Sequence, residues 1–187
     1  YVSIDIDKKY DLVITHAGFV GINHYQAAKA GVGAIPALKP EGKLIMAAHT
    51  TDEDPVGSTR YRTVLHLLKL FGSSDFIDLI NSANWNFIPE QWEVQMWAKL
   101  FAKIKQENFM FYSPVLSPQD YRILPGKDGN EVLPQKLRYQ NNIKNIPEFV
   151  DRALNFYLDK IKKNVSGESK DIDIAYLADG PYVILDR

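Results

Sequence analysis

The sequence predicts an α/β fold, a Rossmann-like three-layer sandwich with a mostly parallel sheet. Short continuous apolar runs, typical of strands buried on both faces, alternate with segments of helical periodicity. The first strand, helix and strand take up about forty residues, a length that suits a crossover unit. We therefore expect one α/β domain over residues 1–187, with helices on both faces of the sheet.

The first crossover unit begins at a strand over residues 11–16, whose centre is the apolar run Leu-Val-Ile. Asn23 is a candidate N-cap for a helix over residues 25–38, which we expect to break near Gly33. Pro40 and Gly42 then turn the chain into a second strand, over residues 43–49.

The middle of the chain predicts a polar loop over residues 50–59, and two helices around residues 64–71 and 76–80. Pro89 opens the strongest helical pattern in the sequence. Its expected apolar stripe contains Trp92, Met96, Leu100 and Ile104, with Trp97 and Phe101 beside them. The opposite side is expected to contain Glu93, Gln95, Lys99 and Lys103. This helix is predicted to pack on the sheet.

The last third of the chain predicts a third strand over residues 108–113 and then an irregular excursion over 114–142, with a hairpin inside it. Pro147 begins an amphipathic helix that continues past residue 160. A fourth strand is predicted over 172–178, and a short fifth strand over 182–185 follows the turn at Gly180.

Composition excludes several classes of function. The net charge of −1 and the lack of a long basic run argue against nucleic-acid or anionic-membrane partners, and the absence of cysteine excludes disulfides, thiolate metal sites and cysteine nucleophiles. The sequence has no apolar stretch of membrane-spanning length and no signal-like start, so we expect a cytoplasmic protein. Because it begins at Tyr1 instead of methionine, we interpret it as a fragment of a longer protein.

Three of the four histidines follow predicted strands, where open α/β sheets bind ligands. His16 and His49 close the first two strands, and His24 lies in the loop before the first helix, whereas His66 fits a packing role. Ordinary polar residues at the sheet edge explain the same pattern. Since no pair has metal-ligand spacing, we expect no metal site within this chain.

Two glycines, Gly18 and Gly21, precede the first helix and invite a comparison with dinucleotide-binding loops. The third glycine of that fingerprint is missing, and His49 stands where an acidic residue would bind ribose. A nicotinamide-dependent oxidoreductase is therefore disfavoured, and a tight turn better explains the glycines.

A more promising group lies at the start of the first helix. Tyr25, Gln26 and Lys29 are neighbours at helical spacing, so their polar ends share one surface. Together with unpaired amides at the helix start, they would suit a small carboxylate. The alternative is an ordinary exposed helix face.

Four sequence motifs, in order, resemble the carboxyl-terminal domain of the nickel-dependent lactate racemase family. The first is Asp-Leu-Val-Ile-Thr from residue 11, with Gly18 and then Asn-His-Tyr-Gln-Ala-Ala-Lys-Ala from residue 23. The others are Lys-Pro-Glu-Gly-Lys-Leu-Ile-Met from residue 39, Pro-Glu-Gln-Trp-Glu-Val-Gln from residue 89 and Ala-Asp-Gly-Pro from residue 178. They span nearly the whole chain.

The resemblance implies a two-domain racemase or epimerase of 2-hydroxy acids that abstracts hydride from the second carbon and returns it to the opposite face. Its nickel pincer cofactor, derived from nicotinate, would be held by a missing amino-terminal domain, which also supplies the acid–base histidines. Gln26 and Lys29 would be the catalytic contacts of this chain, with Tyr25 and Trp92 lining the pocket. We expect the isolated domain to be inactive and to bind nickel poorly.

Two loops depart from the family pattern. Val20, Gly21 and His24 replace the proline and aspartate expected before Tyr25, in a loop one residue shorter, and the segment after His49 lacks the expected glycine-rich acidic loop. Both loops would border the pocket, so the substrate is expected to be a larger 2-hydroxy acid or a sugar acid. The competing interpretation is a non-catalytic small-molecule binding or interaction domain of the same fold.

Overall fold

A central sheet of five parallel strands organises the computed structural model, which describes residues 2–164 and 171–186. Tyr1, on which the fragment interpretation partly rests, lies outside the described residues. The strand order is β5-β4-β3-β2-β6. The strands are Tyr10–His16 (β2), Leu38–Ala47 (β3), Phe109–Tyr112 (β4), Lys127–Asp128 (β5) and Ile174–Tyr176 (β6). Two further strands, Val2–Asp5 (β1) and Val183–Asp186 (β7), pair in parallel outside this sheet.

Helices cover both faces of the sheet, which confirms the predicted three-layer α/β class. The helices are His24–Gly33 (α1), Thr59–Ile80 (α2), Gln91–Lys103 (α3), Pro118–Tyr121 (α4) and Ile146–Asn164 (α5). The apolar side chains of α1, α2 and α3 form one core cluster with Val13, Leu44 and Phe111 of the sheet. A second cluster on the other face joins α5 to Leu12 and Tyr112.

The first four predicted strands are present, with shifted ends. The largest shift is in β3, which begins at Leu38 and not at residue 43, because Tyr10 pairs with Leu38 while Leu12 pairs with Lys43. The residues between these pairs form a bulge in which Glu41 has a φ of 60°. The predicted turn is thus an interruption within one strand.

In the last third of the chain, one expectation is confirmed and another is wrong. The predicted fifth strand is present as β7, which pairs with β1 outside the central sheet. Residues 114–142 contain α4, two 3-10 turns and β5, which runs parallel to β4, so the expected hairpin does not form. Single-residue turn signals do not distinguish a hairpin from a series of capped turns.

The predicted helices are present at about the expected positions, and the short α4 is an additional helix. Asn23 caps α1 by accepting a hydrogen bond from the amide of Gln26 at 2.9 Å, and α1 ends at Gly33. The two helices expected after residue 60 are the two arms of α2, which meet at Gly72 with a φ of 76°. The buried face of α3 was predicted only in part: Trp97 and Leu100 are buried as expected, but Glu93 is also buried, and Trp92 is 47% exposed.

Candidate functional site

The candidate site lies where α1 and α3 pack side by side. The rings of Tyr25 and Trp92 meet edge to face with centroids 5.5 Å apart. Further along, a Cβ atom on Gly31 would lie 2.9 Å from Cζ3 of Trp97, so glycine permits a close helix approach. The two contacts follow the same order along α1 and α3. Gln26 and Lys29 therefore lie alongside the part of α3 that follows Trp92.

The seam between α1 and α3 begins at the carboxyl edge of the parallel sheet. Helix α1 starts just after β2 ends at His16, and α3 runs back across the sheet before β4 begins. The first turns of both helices are therefore at the edge where open α/β sheets place their ligands. The predicted convergence of Tyr25 and Trp92, which are far apart in sequence, is present in the structure.

Lys29 and Gln26 form the exposed polar part of the site. The ammonium group of Lys29 donates a hydrogen bond to Oε1 of Gln26 at 2.5 Å. Lys29 is exposed, and Gln26 and Tyr25 are half-buried. A cation, an amide with free N–H groups and two aromatic rings thus share one surface, which is suited to a small anion with an apolar portion.

Glu93 is the residue that sequence reasoning missed. It has no exposed surface, and neither of its carboxyl oxygens has a hydrogen-bond partner. Burial raises the pKa of Glu93 to about 7, and the nearby Lys29 charge partly opposes this rise. A signal was available, because Glu93 shares helical spacing with the apolar residues Trp97 and Leu100.

The backbone amides at the start of α1 are occupied, which corrects the expectation that they are free to bind a carboxylate. The amide of His24 donates to the carbonyl oxygen of Pro55 at 2.9 Å, and that of Tyr25 donates to Val56 at 3.1 Å. The amide of Gln26 is bound to Asn23. Recognition of an anion at this site must therefore come from side chains.

The loop that supplies these carbonyls is held in place by side chains. Arg62 forms ion pairs with Asp54 at 2.5 Å and Asp120 at 2.9 Å, and it also donates to the carbonyl of Gly57. Ser58 caps α2 and donates a hydrogen bond to Glu90, at the start of α3. The loop after β3 is thereby tied to all three helices around the site.

His24 lies beneath the site and not on its surface. Its ring is fully buried, stacks on Trp97 with centroids 4.6 Å apart, and lies 2.9 Å from the hydroxyl of Tyr61 through Nδ1. Because Trp97 already donates its indole N–H to this hydroxyl, we assign the Tyr61 proton to the bond with Nδ1 of His24, whose ring then carries its own proton on Nε2. Burial lowers the pKa of His24 to about 3, so the ring is neutral.

The other two predicted histidines occupy separate positions at the sheet edge. His16 joins the loops after β2 and β6, since its Nδ1 accepts from the amide of Gly18 at 3.1 Å and its Nε2 donates to the carbonyl of Ala178 at 2.7 Å. His49 is exposed, two residues beyond β3. His66 is half-buried on α2.

Gly18, before α1, allows a close approach of the Tyr182 ring to the backbone. Gly18 has a φ of 56°, and a Cβ atom there would lie 2.2 Å from the hydroxyl of Tyr182. The Tyr182 hydroxyl accepts a hydrogen bond from the amide of Phe19 at 2.5 Å. The space that a dinucleotide pyrophosphate would need above Gly18 is filled by this ring, which agrees with the turn interpretation.

Within residues 2–164 and 171–186, no group of three or more His, Cys, Asp or Glu side chains is arranged to hold a metal ion. The residues of the candidate site therefore do not fit a metal centre of their own. In the same part of the chain, no helix is long and apolar enough to cross a membrane.

Solved structures that share this fold include a lactate racemase. The fold is similar to the lactate racemase apoprotein from Thermoanaerobacterium thermosaccharolyticum. The TM-score is 0.63 at 21% sequence identity, over 100% of this chain and 37% of that chain. The likeness shows a shared fold, and this chain spans little more than a third of the neighbour's length. No family model and no curated protein sequence matches the chain.

Proposed function

We propose that this chain is the substrate-side, carboxyl-terminal domain of a nickel-pincer-dependent racemase or epimerase of 2-hydroxy acids. The observation that carries the proposal is the meeting of Tyr25 and Trp92 beside Lys29, at the ligand-binding edge of the sheet. A fold shared over the whole chain with a lactate racemase apoprotein supports it. Tyr25 and Trp92 also lie in two of the four motifs that resemble that family.

Each side chain has a distinct task in this proposal. The Lys29 ammonium binds the substrate carboxylate or the oxygen on the second carbon, where it stabilises developing negative charge. Gln26 accepts from Lys29 and keeps its own amide N–H groups for the substrate. The rings of Tyr25 and Trp92 bound the pocket and shield the reacting carbon from water.

The cofactor would be held by a second domain of the same protein. The site residues of this chain offer one ammonium, one amide and aromatic rings, which are not a ligand set for nickel. Trp92 is 47% exposed and Lys29 is exposed, so a second domain can reach this surface. The role of this chain is accordingly to bind and orient the hydroxy acid.

Binding of 2-hydroxy acids by the 187-residue chain tests this proposal without the cofactor. Sodium lactate, glycerate and gluconate are added to isotope-labelled protein, and the side-chain amide of Gln26 and the indole N–H of Trp92 are followed by NMR. At least one acid should shift both signals, and Lys29→Ala should abolish the shifts, whereas Lys99→Ala, on the exposed side of α3, should not. Unchanged spectra with all three acids would contradict the proposal. Binding without turnover in the complete, cofactor-loaded protein would favour a non-catalytic binding domain.

A further inference from the structure

Glu93 lies in the seam between α1 and α3, below the exposed polar groups of the site. Glu93, Trp97 and Leu100 follow one another at spacings of four and three residues, so they share one face of α3. That face packs on α1, since a Cβ atom on Gly31 would lie 2.9 Å from Trp97 and 3.5 Å from Leu100. Glu93 is one helical turn closer to the open end of the seam than Trp97.

Nothing in the packing requires a carboxyl group at this position. Both oxygens of Glu93 are buried and lack a hydrogen-bond donor, an arrangement that costs free energy. An apolar side chain of similar size would fill the same space without that cost. Buried ionisable groups of this kind are concentrated at functional sites.

We propose that Glu93 is a positioning residue that sets the charge which Lys29 presents to the carboxylate of a bound 2-hydroxy acid. When the carboxyl group is protonated, the ammonium charge is uncompensated and attracts the anion. When it is ionised, its negative charge partly compensates the nearby ammonium charge, and the attraction is weakened. This inference rests on the proposed function, because it concerns the anion that the site would bind.

Titratable and charged groups face Glu93 from three helices. Lys29 and Tyr25 face it from α1 and Tyr61 from α2, while Glu90 stands at the start of α3. Burial raises the pKa values of both tyrosines, so they remain neutral. Glu90 accepts a hydrogen bond from Ser58. Burial lowers the pKa of His24 to about 3 and raises that of Glu93 to about 7.

The sign of the pH effect follows from this charge balance. A carboxylate ligand favours the protonated form of Glu93, so binding should be tightest below pH 7 and should weaken as the pH rises through 7. Binding should also take up a proton from solution near this pH. The total loss of affinity is expected to be on the order of tenfold, the effect of one nearby charge in a partly screened site.

The test is an NMR titration of the 187-residue chain with sodium lactate, glycerate and gluconate, at one pH well below 7 and one well above it. Wild-type protein should lose affinity on the order of tenfold at the higher pH. Glu93→Gln should bind equally well at both pH values, with the affinity of the wild type at low pH. Glu148→Gln, an exposed glutamate paired with Arg152 on α5, should keep the wild-type dependence.

The outcomes separate this inference from the proposed function. A pH dependence that persists unchanged in Glu93→Gln would overturn the role of Glu93 and leave the proposed function intact. Absence of binding at both pH values would overturn the proposed function, and the inference with it.

If Glu93→Gln does not fold, the carbon-13 titration of the Glu93 carboxyl group replaces the binding experiment on that variant. Its midpoint should rise in Lys29→Met, and an unchanged midpoint would overturn the inference.

Discussion

Trp92 lies edge-on against Tyr25, with ring centroids 5.5 Å apart, although the two residues belong to different helices and are far apart in sequence. If Trp92 belonged to the buried face of α3, it would contact the sheet, but nearly half of it is exposed. Its position therefore lies outside the core and on the surface of the candidate site.

Trp92→Ala should accordingly leave the fold intact and impair ligand binding. The loss of one exposed ring contact should cost about 1 kcal/mol of unfolding free energy, whereas the affinity for a 2-hydroxy acid should fall clearly. Chemical denaturation and NMR titration measure the two effects. Trp92→Phe, which keeps an aromatic ring against Tyr25, is the matched control. A large loss of stability in Trp92→Ala would indicate a core role instead.

Gly31→Ala should destabilise the protein by about 1–3 kcal/mol, because the added methyl group meets the Trp97 ring and forces α1 and α3 apart. Gly33→Ala, two residues further along the same helix, meets no atom within 4 Å and should be neutral or stabilising by up to about 1 kcal/mol. Thermal and denaturant unfolding of both variants tests this difference. Equal stabilities would show that the helices do not approach closely at Gly31.

Tyr61→Phe should cost about 1–3 kcal/mol, because it leaves the indole N–H of Trp97 and Nδ1 of His24 buried without partners. Tyr176→Phe, at a side chain that is 64% exposed, should have little effect. Nitrogen-15 NMR should also show His24 as the neutral Nε2–H tautomer. A protonated His24 ring near pH 6 would contradict the hydrogen-bond directions.

The stability of the wild type relative to Glu93→Gln should depend on pH. Burial raises the pKa of Glu93 from 4.5 to about 7 in the folded state, so the folded protein binds the proton more tightly than the unfolded chain. The unfolding free energy of the wild type, relative to that of Glu93→Gln, should be highest below pH 4.5. It should decrease by about 3 kcal/mol in all as the pH rises to 7. Denaturant unfolding across this range measures it. A pH-independent difference would mean that Glu93 is not desolvated.

The fold class and the meeting of Tyr25 with Trp92 could be predicted from the sequence, whereas the surroundings of these residues could not. Continuous apolar runs identify strands buried on both faces, and the motifs containing Tyr25 and Trp92 predicted their meeting. The rotation of α3 was missed because Trp92 and Met96 are as apolar as the residues that are buried, so hydrophobicity alone did not identify the inward face. The satisfied amides of α1 depend on carbonyls of Pro55 and Val56, and no local pattern specifies such contacts.

Racemisation of chiral 2-hydroxy acids by the complete protein, loaded with the nickel pincer cofactor, is the decisive experiment for the proposed function. Each enantiomer of lactate, glycerate and a sugar acid is incubated with wild type, Lys29→Ala and the control Lys99→Ala. We predict inversion of at least one acid by the wild type and by Lys99→Ala, and turnover reduced by about a hundredfold or more in Lys29→Ala. A loaded protein that inverts none of these acids, or a folded Lys29→Ala variant with wild-type turnover, would contradict the account.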